Sequence, residues 1–332
     1  MLRGLLVAAV ALAAAASPRA AGIPLTIGAA AMQELASDRY YHRFGETLSA
    51  PGSPFDVKIM VRGEGGSDEQ NLANVRRGRM QMGGVSYAAI STIVPELAVL
   101  NAAFLLNSYE EIDFILAFGL EARINDMFLR NGLVGLRHVP ASWNIVYGKQ
   151  PILWPNDAKH VRMRARIDAG SQLFLKALDA DVIHVAATEV IPSLQTGLID
   201  AGETNSFVYL LNGLYSAAPH LVMTRHVPSI TVVIASKPWW DSLDEEQRRT
   251  IDEALAPAQS WRNDMRGDEV RILADYVERG IVVHELTEAQ RAAWEAAALT
   301  SHAPLVEAIG GDAQELYDMI VAGKKAFAAT QR

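Results

Sequence analysis

Phe55-Asp56-Val57-Lys58-Ile59-Met60-Val61, then Arg62-Gly63-Glu64-Gly65-Gly66, then Ser67-Asp68-Glu69-Gln70, is the stretch whose reading decides the fold class. Phe55, Val57, Ile59 and Val61 alternate with Asp56, Lys58 and Met60, the period of two that lets a strand bury one face. After the glycine-rich break, Ser67-x-x-Gln70 has the form of a capping box. Asp68 and Glu69 fall in the first turn, Arg76 and Arg77 in the last, and Gly78 just past the end, so the charges oppose the helix dipole at both ends. Upstream, Leu25-Thr26-Ile27-Gly28 reads as a strand, and Tyr41, Phe44 and Leu48 mark a helix. Downstream, a helix opens at Ser108-x-x-Glu111, runs through Ile112, Ile115, Leu116, Ile124 and Phe128, and stops at Asn131-Gly132. Strand and helix in alternation predict an α/β fold.

An internal echo extends this plan. Val75-Arg76-Arg77-Gly78-Arg79-Met80-Gln81-Met82-Gly83 matches Leu194-Gln195-Thr196-Gly197-Leu198-Ile199-Asp200-Ala201-Gly202 in pattern: a helix end, a glycine cap and a short strand. Glycine caps are common, so two ordinary junctions would give the same pattern by coincidence. One such unit in each of two lobes would place Ser86-Tyr87 and Glu203-Thr204-Asn205 beyond the carboxyl ends of two strands, where α/β sheets bind ligands. Further on, Ile230 to Ala235 reads as a buried strand, and Ser242-x-x-Glu245 as the start of a long helical region, interrupted near Pro257 and ending at Gly280. Ile281 to His284 reads as a short strand. Thr287-x-x-Gln290 caps another helix, and Gly310-Gly311 separates two terminal helices.

Composition narrows the function. A net charge of -8 argues against nucleic-acid binding, which needs clustered cations to displace counterions from phosphates. Arg3, the apolar run Leu5 to Ala16 and the small residues up to Ala20-Ala21 read as a signal peptide over residues 1–21. That run falls short of the about 20 residues a membrane span requires. With no cysteine in the chain, neither a lipid anchor nor a disulfide framework is expected. Nucleophile-elbow, phosphate-loop and zinc-helix motifs are all missing, and His42, His184 and His284 read as surface or satisfied histidines. No catalytic residue, metal or cofactor is expected. The positive feature is Arg162-Met163-Arg164-Ala165-Arg166, which sets three guanidinium groups on one side of a strand. Such a face is either solvated or fitted to carboxylates, which the planar guanidinium fork binds with two parallel hydrogen bonds.

Several segments in shared order resemble the solute-binding proteins of tripartite ATP-independent periplasmic (TRAP) transporters. They are Gly78 to Met82, Leu100 to Leu106 with Tyr109-Glu110-Glu111, Pro151-Ile152 through Asp157 to Arg164, Glu189, Leu194 to Asp200 with Glu203, and Ser236 to Leu243. The resemblance implies an exported periplasmic receptor with a two-lobed binding-protein fold, a long helix crossing both lobes and a hinged cleft that closes on an organic acid. It implies membrane subunits of the transporter as partners. The expected lobes are residues 22–145 with a return segment near 230–260, and 146–229 with C-terminal helices over 261–332; a monomer is expected rather than a dimer.

In that family the arginine of a basic-hydrophobic-arginine pattern pairs with the ligand carboxylate, which is Arg164 here. The chain also departs from the pattern: Trp143, followed by Asn144, stands where a second arginine is usual, Thr204 and Asn205 follow Glu203, and Arg166 replaces a proline. These departures favour a monocarboxylate or keto acid packed on an apolar or aromatic wall. Ser86, Tyr87, Trp143, Asn144, Arg164, Thr204 and Asn205 are the expected contacts, with Glu203 orienting Arg164 or binding a ligand hydroxyl or amine. A ligand sensor for a signalling partner needs the same cleft, and a periplasmic enzyme would need acid-base groups that the sequence does not supply.

Overall fold

The computed structural model describes residues 22–331. The expected signal peptide, residues 1–21, lies outside the described residues. Among the described residues nine strands form one mixed sheet: β1 (Ile23–Ala29), β2 (Phe55–Met60), β3 (Met82–Ser86), β4 (Leu133–Gly148), β5 (Arg162–Ala165), β6 (Asp181–His184), β7 (Ala201–Asn205), β8 (His220–Ser236) and β9 (Val282–His284). The order is β2-β1-β3-β8-β4-β7-β5-β6, with β9 beside β8. Each half has the same plan. β2, β1 and β3 are parallel and meet β8 antiparallel; β6, β5 and β7 are parallel and meet β4 antiparallel.

The long strands β4 and β8 join the halves. At 16 and 17 residues they extend about 50 Å at roughly 3.3 Å per residue, and they pair with each other through both lobes. Side chains on β8 alternate between layers: Ile230, Val232 and Ile234 face one core of the first lobe, Val233 and Ala235 the other. Leu221 and Val222 enter the two cores of the second lobe in the same way. Sequence reading recovered only the Ile230 to Ala235 part of β8, and it missed β4. Pro140 and Gly135 disguise β4, and both lie next to register shifts in its ladder with β8, where a proline without an N–H is tolerated.

The predicted capping boxes at Ser67-x-x-Gln70 and Thr287-x-x-Gln290 form as expected. Three expectations change. The box near residue 242 is Asp244-x-x-Gln247, opening helix Glu245–Ala254; Ser242 instead ends the preceding helix. The helix from Ser108 is not continuous, because Gly119 at φ 123° interrupts it with a wide turn between Tyr109–Ile115 and Glu121–Arg130. The C-terminal helices do not all join the second lobe. Leu316 and Ile320 of helix Ala313–Thr330, and Leu305 of helix His302–Ile309, are buried in the core of the first lobe with Ile112 and Ile115. Trp294 of helix Glu288–Leu299 remains in a core of the second. Helix Ala258–Val277 does cross between lobes, burying Trp261 in one core and Ile272 in another.

Candidate functional site

β3 and β7, the two strands of the echo, end at the same place. Ser86 closes β3 and caps the turn Tyr87–Ile90 by accepting from Ala89 N at 3.1 Å. Asn205 closes β7 and caps helix Ser206–Leu211, accepting from Phe207 N at 2.9 Å. Between them lies a cleft of about 990 Å³, walled by Ser86, Ala88, Pro95 and Ala98 from the first lobe and by Arg164, Arg166, Asp168 and His184 from the second. A narrower recess of about 320 Å³ adjoins it at Asn205, Val208 and Ser229 and reaches Ala29 at the end of β1, Ala30 to Met32 beyond it, and Trp261 of the crossing helix.

Six of the eight expected contacts line the larger cleft: Ser86, Tyr87, Asn144, Arg164, Thr204 and Asn205. Not all offer free polar atoms. The Tyr87 hydroxyl donates to His138 Nδ1 at 2.5 Å, and His138 Nε2 lies 3.0 Å from Asn125 Oδ1. Burial, with Arg137 nearby, depresses the His138 imidazole to about 3, so it is neutral and accepts from the phenol. The Asn205 amide is engaged as well, its Nδ2 donating to Ser142 Oγ at 2.5 Å.

Trp143 and Glu203 do not reach this wall. Consecutive strand residues point to opposite faces, so the alternation that turns Asn144 to the cleft turns Trp143 into the core, 5% exposed, where its ring meets Tyr109 at 5.4 Å. The expected tryptophan wall is therefore absent. Glu203, 0% exposed, points away from the cleft and contacts Arg166 rather than Arg164. Its Oε1 accepts from the Ser171 hydroxyl and lies 3.4 Å from Arg166 Nε. Oε2 is 3.4 Å from His226 Nε2 but has no hydrogen-bond partner. Burial pushes the Glu203 carboxyl up, yet Arg166, His226 and Ser171 outweigh it and hold it at about 2. Burial depresses His226 against the opposing pull of Glu203, and Arg166 is the permanently charged group facing Glu203. Burial also opposes the Arg166 charge, and Glu203 and Asp168 overcome it.

The three arginines have different fates. Arg162 lies outside, its Nε donating to Asp200 Oδ2 at 2.8 Å. Arg166, one residue past β5, donates to Asp168 Oδ2 at 2.9 Å besides facing Glu203. Arg164, half-buried in the cleft wall, has only a long contact of 3.4 Å from Nε to the Val185 carbonyl. Among the described residues no carboxylate pairs with it. His184, read from sequence as a surface or satisfied histidine, is exposed and lies in the same wall. Its position at the end of β6, beside the end of β5, was the available signal.

Residues 43–308 match the family described as bacterial extracellular solute-binding protein, family 7. The chain belongs to that family. It is 25% identical over 263 residues to the C4-dicarboxylate-binding periplasmic protein DctP of Rhodobacter capsulatus, covering 77% of this chain and 78% of that one. It is also 25% identical over 286 residues to the ectoine-binding periplasmic protein TeaA of Halomonas elongata, covering 82% of each. Among solved structures, a TRAP periplasmic solute-binding protein from Ochrobactrum anthropi superposes with a TM-score of 0.85 at 23% identity, over 93% of this chain and 97% of that one. The sugar acid binding protein DctPAm of Advenella mimigardefordensis, in complex with galactonate, gives 0.77 at 22% identity, over 91% and 99%. TRAP solute-binding proteins are two-lobed receptors for small molecules that work with membrane subunits, and the α/β sheet described above is that fold. Among the described residues no helix is long and apolar enough to cross a membrane.

Proposed function

We propose that this protein is the exported, periplasmic receptor of a TRAP transporter, capturing a small organic acid whose carboxylate is held by Arg164. One observation carries the reading: of three arginines within five residues, Arg164 alone faces the cleft without an acidic partner, while Arg162 and Arg166 are both neutralised by the protein. A half-buried guanidinium without a counter-ion favours a ligand carboxylate, and a charge-assisted hydrogen bond contributes about 1.5 to 3 kcal/mol. Relatives named for C4-dicarboxylate and ectoine, and a neighbour holding galactonate, bind solutes that bear carboxylates, which supports the class without choosing a member.

The paired long strands β4 and β8 make the hinge in this reading. The lobes close over the acid by bending there, and the loaded form is delivered to the membrane subunits. The protein acts as a monomer, with the cleft complete within one chain. Thermal-shift screening of the mature protein, refolded to strip bound solute, tests this against mono-, di-, keto and sugar acids. A ligand selective for the native state raises the melting temperature. At least one acid is expected to do so, and Arg164→Ala to lose the response. Stabilisation by neutral solutes alone would overturn the carboxylate assignment.

A further inference from the structure

Arg166 stands two residues from the proposed anchor, in the same cleft wall, yet it is turned to the protein's own carboxylates. Asp168 meets it at the cleft surface, Nε to Oδ2 at 2.9 Å, and Glu203 lies behind it, fully buried. The same Asp168 caps helix Ala169–Ala177, its Oδ1 accepting from Ser171 N at 3.0 Å. The Ser171 hydroxyl in turn donates to Glu203 and accepts from Arg166 N at 2.8 Å. Two carboxylates thus surround one guanidinium, giving this cluster a net charge of -1. Adding Arg164 brings these four groups, three in the wall and Glu203 behind it, to neutrality before any ligand arrives. From the first lobe the wall carries hydroxyls and small apolar side chains, with Glu69 as its charged member.

We propose that Asp168 is the specificity-determining residue of the cleft: by occupying Arg166 it limits the site to acids with one negative charge and repels a second carboxylate. The assignment rests on Arg164 being the carboxylate anchor. Arg166 and Asp168 line the same wall as Arg164, so a dianion with one carboxylate on Arg164 and its other directed to Arg166, the second cation of that wall, would meet Asp168 there with Arg166 already taken. Discrimination then comes from a like charge built against the wrong ligand as much as from contacts to the right one. The anchor and the discriminator sit on one rigid edge, β5 and the helix that follows it.

The test is Asp168→Asn, since asparagine caps helices as well as aspartate does and removes only the charge. Asp168→Ser, another good cap, serves as a second variant should the first fold poorly. Calorimetric titration compares matched acids of one and two charges: butyrate with succinate, 2-hydroxybutyrate with malate, 2-oxovalerate with 2-oxoglutarate, and gluconate with glucarate. Wild type is expected to prefer the monoacid in whichever pairs it binds. The substitution is expected to shift that ratio toward the diacid by on the order of tenfold, through tighter diacid binding, as Arg166 gains a charged hydrogen bond to the ligand. An unchanged ratio in both variants, or a wild type that binds the diacid as tightly, overturns the role of Asp168 while leaving Arg164 intact. If no acid of either charge binds wild type, the anchor itself fails and this inference with it.

Discussion

In the first lobe β2, β1 and β3 lead to a cleft wall of Ser86, Ala88, Pro95 and Ala98; in the second, β6, β5 and β7 lead to Arg164, Arg166, Asp168 and His184. The strand plan is shared and the chemistry is not. Parallel strands ending at a common edge supply the position of a site in both lobes, whereas the residue after each strand decides what that position does. The second lobe carries the guanidinium proposed to fix a ligand, and the first offers hydroxyls and small apolar groups, with Glu69, across the cleft. Comparing these walls separates residues that build the cleft from residues that read the solute.

Substitutions should fall on one side of that division or the other. The largest expected effect is Trp143→Ala, which empties a packed site against Tyr109 and should cost about 3 to 5 kcal/mol in urea unfolding. Trp143→Phe should keep acid binding within a few-fold; a selective loss of binding in a stably folded Trp143→Phe protein would return the tryptophan to the cleft. Next is Glu203→Gln, which removes the buried counter-ion of Arg166 and should destabilise by roughly 3 kcal/mol near neutral pH. Because Glu203 is held at about 2 against an ordinary 4.5, its contribution is present above the unfolded value and is lost as pH falls toward 2. The wild-type and Glu203→Gln stabilities should therefore converge on acidification, and a constant gap would contradict the ion pair. The smallest effect is Thr287→Ala, far from both walls, which removes the cap on Gln290 N and should cost about 1 kcal/mol with acid binding unchanged.

Much of the fold was legible because local chemistry and tertiary structure agree. The period-two run at Phe55 to Val61, the boxes at Ser67 and Thr287, and the glycine caps of the echo each became the element they predicted. The joining strand β4 was not legible, since Pro140 and Gly135 read as breakers and only pairing with β8 overrides them. The assignment of the terminal helices failed for a related reason: an amphipathic face shows that a helix packs but not on which lobe. Within the cleft, Ser86, Asn205 and Arg164 could be placed from strand ends and the resemblance. The strand parity that hides Trp143 behind Asn144 was readable in principle, given β4. The Arg166 to Asp168 contact was not, because it depends on the chain leaving β5 at Ala165 and turning into the next helix.

Arg162 and Arg164 share one strand and one residue type, yet Arg162 is paired with Asp200 while Arg164 faces the cleft. Titration calorimetry with the best-stabilising acid, on wild type, Arg162→Ala and Arg164→Ala, is the most direct test. Loss of the anchor should weaken binding by about 2 to 5 kcal/mol, which is at least tenfold, while Arg162→Ala, whose partner is Asp200, should bind as wild type does. Equal losses in both variants, or full affinity in Arg164→Ala, would contradict the assignment of Arg164 as the residue that holds the acid.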